Sequence, residues 1–194
     1  MEEELTARLK AHTSTAHAQA EALLYSEQLF KGTITLAQYA HLLQVHHQFH
    51  VAMDAAIQEH EELAAIAPTQ RSKSEVLKRD LAALGEAVLP ADDRILFNFS
   101  LPQLIGALYV SEGSMLGGAV IARTVSRIEG LRTGGCTNFF TLYGSDLGRM
   151  WMAFCGRLNA RPHTEWPAIL DGAQRAFGLY SQLFHSTTTA KVHG

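Results

Sequence analysis

Apolar positions in this chain recur at steps of three and four, the period of a helix that buries one face. Leu5, Leu9, Thr13, His17, Glu21 and Leu24 fall on or near one stripe, which predicts a first helix from about Glu4 to Tyr25. Lys31-Gly32 interrupts the pattern. Thr35 is a candidate N-cap for a second helix, Leu36 to His60. Pro68 lies in a break. Ser72 or Ser74 caps a third helix that runs through Leu84 and stops at Gly85, and Pro90 begins a loop. Ser100 followed by Pro102 supplies a hydroxyl cap and a first-turn proline. The apolar run behind it predicts one continuous helix from Pro102 to Ile128, roughly 40 Å long. The Gly130 and Gly134-Gly135 region ends that helix. Residues 138–159 read as another helix or a broken pair, and Pro167 opens a last helix through Phe184. The polar stretch 186–194 reads as a frayed, disordered tail. Val/Ile/Thr alternation and Asn-Gly hairpin turns are absent, so strands are not expected. The expected fold is all-α: a helical bundle, residues 1–194 as a single domain, with no repeat and no linker.

Composition narrows the function. The chain has 194 residues, 47% of them hydrophobic and 18% charged, enough to bury one sizeable core. A formal net charge of -3 argues against a nucleic-acid partner, because phosphate binding needs a basic field. The start, MEEELTARLK, lacks the basic and apolar regions of a signal peptide. No stretch reads as the roughly 18 apolar residues of a membrane span. The expected location is therefore cytoplasmic, with no membrane partner. Cys136 and Cys155 fit a reducing compartment and give no disulfide or zinc framework.

Two segments carry candidate chemistry. Thr13, His17 and Glu21 share one helical face. A histidine that ligates a metal through one ring nitrogen needs an acceptor for its other N–H, and Glu21 lies one turn on to supply it. Lys10, two turns before His17, reaches towards an anionic group at a pocket mouth. The second segment is Leu108-Tyr-Val-Ser-Glu-Gly-Ser-Met-Leu-Gly-Gly-Ala-Val-Ile121. Gly113, Gly117 and Gly118 inside a helix cost roughly 3 kcal/mol relative to alanine. Either close helix packing or close approach of a flat ligand would offset that cost. A phosphate cradle does not fit, since no strand precedes the glycines and no Lys-Ser/Thr follows them.

Other features point elsewhere. His41, His46, His47 and His50 form a dense cluster, but no Glu-x-x-His motif recurs on a second helix to make a di-iron bundle. They read as a solvated helix face. Glu59, Glu61 and Glu62 read as exposed charge, and Trp151 and Trp166 as core.

Leu9-Lys10, Thr13, His17 and Glu21 together resemble the proximal helix of the heme oxygenase family. Tyr109-Val-Ser-Glu-Gly-Ser-Met-Leu-Gly-Gly118 is similar to the distal helix of its bacterial branch, including the bacteriophytochrome-associated enzymes. Phe139-Phe140, Tyr143-Gly144, Gly148, Trp151 and Phe154 resemble a later segment of that branch. Ala176-Phe177 and Leu183-Phe184 resemble the last helix, whose phenylalanines line the pocket. The resemblance spans roughly residues 5–185.

The resemblance implies a fold with heme, both substrate and cofactor, between the proximal and distal helices. His17 would be the axial iron ligand and Glu21 its partner. Lys10, Thr13, Tyr109, Phe177 and Phe184 would bind the heme. Gly113, Ser114, Gly117 and Gly118 would form the catalytic distal surface, where bare backbone steers oxygen towards the ring edge. The implied reaction opens the ring to biliverdin, releasing CO and ferrous iron. It uses O₂ and electrons from a reductase or ferredoxin, and a bacteriophytochrome is a candidate bilin acceptor. Ser114 stands where animal-type enzymes carry an aspartate, and a hydroxyl is a weaker acceptor. Of the basic residues expected near the heme propionates only Lys10 matches; Arg123, Arg127 or Arg149 can substitute. The alternatives are a heme- or bilin-binding protein without turnover, and a thiaminase-like enzyme on the same superfold. The latter needs a pocket cysteine, and Cys136 lies in a loop.

Overall fold

The computed structural model describes residues 4–69, 71–128, 131 and 135–192. Every regular element among them is helical: α1 (Leu5–Leu23), α2 (Ser26–Lys31), α3 (Leu36–Glu59), α4 (Glu61–Ile66), α5 (Lys73–Ala83), α6 (Leu101–Gly113), α7 (Gly118–Val125), α8 (Leu147–Asn159) and α9 (Trp166–Val192). The helix starts follow their caps. The Thr35 hydroxyl accepts from the Gln38 amide while the Gln38 side chain accepts from the Thr35 amide. Ser72 accepts from the Glu75 amide, and the Asp54 carboxylate of α3 accepts from the Ser74 amide and the Ser72 hydroxyl. These bonds satisfy amides that the first turn leaves without helical partners.

Helix α9 organises the packing. It crosses α6 so closely that a Cβ on Gly106 would strike the Ile169 carbonyl, and a Cβ on Gly172 would strike Gln103 backbone. On its other flank α9 runs beside α1. One core cluster, including Leu9, Phe49, Leu104, Ile105, Phe154 and Ile169, fills the space among α1, α3, α6, α8 and α9. A second, with Tyr39, Leu43, Leu77, Met115 and Phe139, lies where α3 and α5 meet the segment after α6.

Three expectations need correction. The continuous helix expected from Pro102 to Ile128 breaks after Gly113. There the amides of Met115, Leu116 and Gly118 bond to carbonyls three residues back (3.2, 3.1 and 3.0 Å) before α7 resumes. The tighter i→i+3 pattern turns the chain without leaving amides unpaired. The expected frayed tail is helical as far as Val192. Thr187 is 4% exposed and its hydroxyl lies 2.8 Å from His41 Nε2, so burial and hydrogen bonding offset its polarity. Residues 193–194 lie outside the described residues, as do Gly130 and Gly134, two of the three glycines expected to end the long helix. Finally, Leu101–Val125 is long and apolar enough by composition to cross a membrane, contrary to the sequence reading, but 56% of its apolar window is buried inside this bundle. Core packing accounts for that apolarity.

Candidate active site

His17 sits on the half-exposed face of α1. Its Nδ1 lies 3.4 Å from Glu21 Oε2, the one-turn pairing that the spacing predicts. Nε2 is then the nitrogen free to serve as a ligand. The Phe177 ring of α9 stands edge-on to the imidazole, centroids 5.6 Å apart. Lys10 is exposed two turns earlier on α1. Thr13, expected at the pocket, is buried instead, and its hydroxyl donates to the Leu9 carbonyl within α1 (2.8 Å). At 3% exposure it packs into the core and offers no free group to a ligand.

The distal segment is the break between α6 and α7. Tyr109, Gly113, Leu116, Gly117 and Val120 follow one another at helical steps. A Cβ on Gly113 would rest 3.9 Å from the Trp151 ring, and one on Gly117 would meet nothing within 4 Å. Leu116 (44% exposed) and Val120 (63%) continue the stripe as exposed apolar side chains. Tyr109 packs against Trp151, ring centroids 5.8 Å apart. Gly118 departs from the expectation that all three glycines face a ligand. It is buried, and a Cβ there would strike the Phe140 carbonyl, so its reason is backbone packing.

Helix α9 links the two sides. One turn after Phe177, the Tyr180 hydroxyl engages the Ser114 side chain and lies 3.3 Å from His46 Nδ1. Burial raises the Tyr180 phenol above its ordinary range. Ser114 itself donates to the Ser111 carbonyl (2.8 Å). Burial, reinforced by the positive charge of Lys73, lowers His46 to about 3, so its ring is neutral. The Tyr180 hydroxyl thus lies between a neutral imidazole and the Ser114 side chain, with donor and acceptor set by the His46 tautomer.

The histidine cluster is the largest correction. Every residue from Tyr39 to His50 is buried, so His41, His46, His47 and His50 do not form a solvated face. Helix α3 packs against α5, α9, α6 and α4, with Phe139 on His46 and His50 and the loop at residues 87–90 on Gln44 and Gln48. His41 is held by the Tyr25 hydroxyl at Nδ1 (2.7 Å) and by Thr187 at Nε2. The ring nitrogens of His47 and His50 find no hydrogen-bond partner among the described residues. Phe184, expected in the pocket beside Phe177, lies two turns further along α9. It packs on His41 and Tyr25, ring centroids 4.6 and 5.5 Å away, which draws it into the core. Arg149 pairs with Asp146 (3.1 Å) and Arg127 lies beside Phe30 and Lys31, whereas Arg123 continues the Leu116–Val120 stripe.

Trp151, expected in the core, is partly buried and packs against it beside Phe154, whereas sequence reasoning passed over Tyr180. The spacing Phe177–Tyr180, one turn apart on an otherwise apolar face, was the available signal for the latter. A groove of about 620 Å³ between the starts of α1 and α9, lined by Arg8, His12, His163 and Trp166, is separate from these residues.

Residues 3–186 match the family model described as "Heme oxygenase". The chain belongs to the heme oxygenase family. Among its relatives is the heme oxygenase PigA of Pseudomonas aeruginosa, 26% identical over 185 residues, covering 93% of this chain and 91% of that protein. The NO- and CO-bound heme oxygenase of Neisseria meningitidis superposes with a TM-score of 0.79 at 24% identity, covering 95% of this chain and 92% of the other. The heme complex of heme oxygenase-1 from Synechocystis superposes at 0.76 and 16% identity, with coverage of 95% and 92%. The all-helical heme oxygenase fold follows, and heme is the group that membership in this family brings with it. The residues present fit such a group: a half-exposed imidazole on one helix, and bare glycine backbone beside exposed Leu116 and Val120 on the other.

Proposed function

We propose that this heme oxygenase opens the heme ring to biliverdin, releasing CO and ferrous iron, with O₂ as oxidant and electrons from an external reductase or ferredoxin. One observation carries the reading. Consecutive turns of α9 carry Phe177, edge-on to His17, and Tyr180, against Ser114, so one helix lies against both the proximal and the distal segment.

Heme supplies a redox-active iron whose oxygen chemistry is directed onto the porphyrin itself. The rest is the work of this chain's residues. His17 would hold the iron through Nε2, with the Glu21 carboxylate 3.4 Å from Nδ1 and placed to accept its proton, which would fix the tautomer and the ring orientation. A neutral imidazole donates less electron density than a thiolate. Gly113 and Gly117 let the distal backbone come close, and Tyr109, Trp151, Leu116 and Val120 exclude water around it. The Ser114–Tyr180–His46 chain holds protons at the distal side: two hydroxyls and an imidazole kept unprotonated by burial. Lys10 and Arg123, exposed on the α1 and α7 stripes, are the cations that meet the propionates.

Hemin added to the protein under air with ascorbate or a reductase tests the activity. Decay of the Soret band with growth of bilin absorbance in the red is the expected result. A Soret band that persists would make the protein a heme carrier.

A further inference from the structure

A second buried polar cluster lies behind the distal segment, on the side away from Trp151. The Lys73 ammonium of α5 is 2.6 Å from Glu112 Oε1 and 3.0 Å from Ser111 Oγ, with the Lys73 and Glu112 side chains 5% and 4% exposed. The Tyr143 hydroxyl donates to the other Glu112 oxygen (2.7 Å). Glu112 is the residue before Gly113, where α6 gives way to the tighter turn, and its carbonyl accepts the first i→i+3 bond, from Met115. Ser111 accepts from Lys73 at its hydroxyl and from Ser114 at its carbonyl. Two separate segments, α5 and the stretch carrying Tyr143, thus converge on Ser111 and Glu112 just before the break. A hydrophobic core could hold α5 against α6 without any of these charges, and taking an ion pair out of water is costly. What the charges add is direction. Charge-assisted bonds fix the rotation of the last turn of α6 about its axis, and with it the aim of the Ser114 hydroxyl and the course of Gly113–Gly117.

We infer that Lys73, Glu112 and Tyr143 are positioning residues: they set where the distal helix breaks and where Ser114 and the Gly117 backbone face. The inference rests on the proposed heme reading for its consequence, not for its geometry. Two variants test it. Lys73→Met alone strands a buried carboxylate and risks misfolding, so the charge is removed as the neutral pair K73M/E112Q. Tyr143→Phe, a milder change, deletes a single bond to Glu112. Hydrogen exchange of the amides from Ser114 to Gly118 in the heme-free protein should accelerate by about tenfold or more in both variants, while amides of α1 and α9 keep their protection. In the ferric heme complex the same variants should shift the acid–alkaline midpoint of the spectrum, with His17 still bound. Folded variants that leave both the 114–118 exchange and the midpoint unaltered overturn the inference. If the wild-type protein fails to bind heme through His17, the functional reading falls, and the exchange measurement alone still decides the positioning role.

Discussion

Gly117 and Gly118 are neighbours in sequence with opposite reasons to be glycine. A Cβ on Gly118 would enter the Phe140 carbonyl, so Gly118→Ala should destabilise by about 1–3 kcal/mol, read as a lowered urea midpoint. A Cβ on Gly117 meets open space, and Gly117→Ala should be neutral or stabilise by up to about 1 kcal/mol. A bulky residue is another matter: Gly117→Phe should keep the fold and change the yield or isomer of bilin, as chromatography of the product would show. An unchanged product would remove Gly117 from the distal surface. The sequence marked these glycines as unusual because their helix cost is visible in one dimension. Which of them packs against backbone depends on where residues 137–143 return, and no local pattern encodes that. The pairing of His17 with Glu21 was legible, since it needs only helical spacing. The loss of Thr13 to the core was not, because a stripe of mixed residues does not reveal where its buried edge ends.

At the scale of elements, the α6–α9 crossing holds the two halves of the site in register. Gly106 and Gly172 permit it, each against the other helix's backbone. Alanine at either position must push backbone rather than a flexible side chain, and should cost about 2 kcal/mol or more and weaken heme retention together with stability. Thermal unfolding with and without hemin checks this; a full loss of stability with undiminished heme affinity would detach the crossing from the site. Helix starts were legible because caps are local: Thr35, Ser72 and Ser100 all begin helices where expected. The break after Gly113 was missed because apolar periodicity continues through it. Helix α3 misled in the other direction. Its histidines imitate a polar face, and only its burial by α5, α6 and α9 shows that they are interior groups, some bonded to Tyr25, Thr187 and Tyr180.

For the whole molecule, those histidines set the response to pH. Burial depresses His46 to about 3 and lowers His47 and His50 as well, reinforced by nearby positive charge. Each is neutral in the fold and titrates near 6.5 when unfolded. Their contribution to stability is therefore complete above pH 6.5 and is lost as pH falls towards the depressed folded values. For His46, whose folded value lies far below 6.5, the loss approaches about 1.4 kcal/mol per pH unit below pH 6, and His47 and His50 add to it in the same direction. Stability measured by urea unfolding should fall between pH 6.5 and 5, and His47→Gln should flatten the slope; an unchanged slope would mean that His47 is not held neutral. The central claim concerns one bond, from His17 to heme iron. Resonance Raman spectra of the ferrous complex test it most directly. An iron–imidazole stretch should appear in the wild type, vanish in His17→Ala and return when free imidazole is added. The same band persisting in His17→Ala without imidazole would contradict the account.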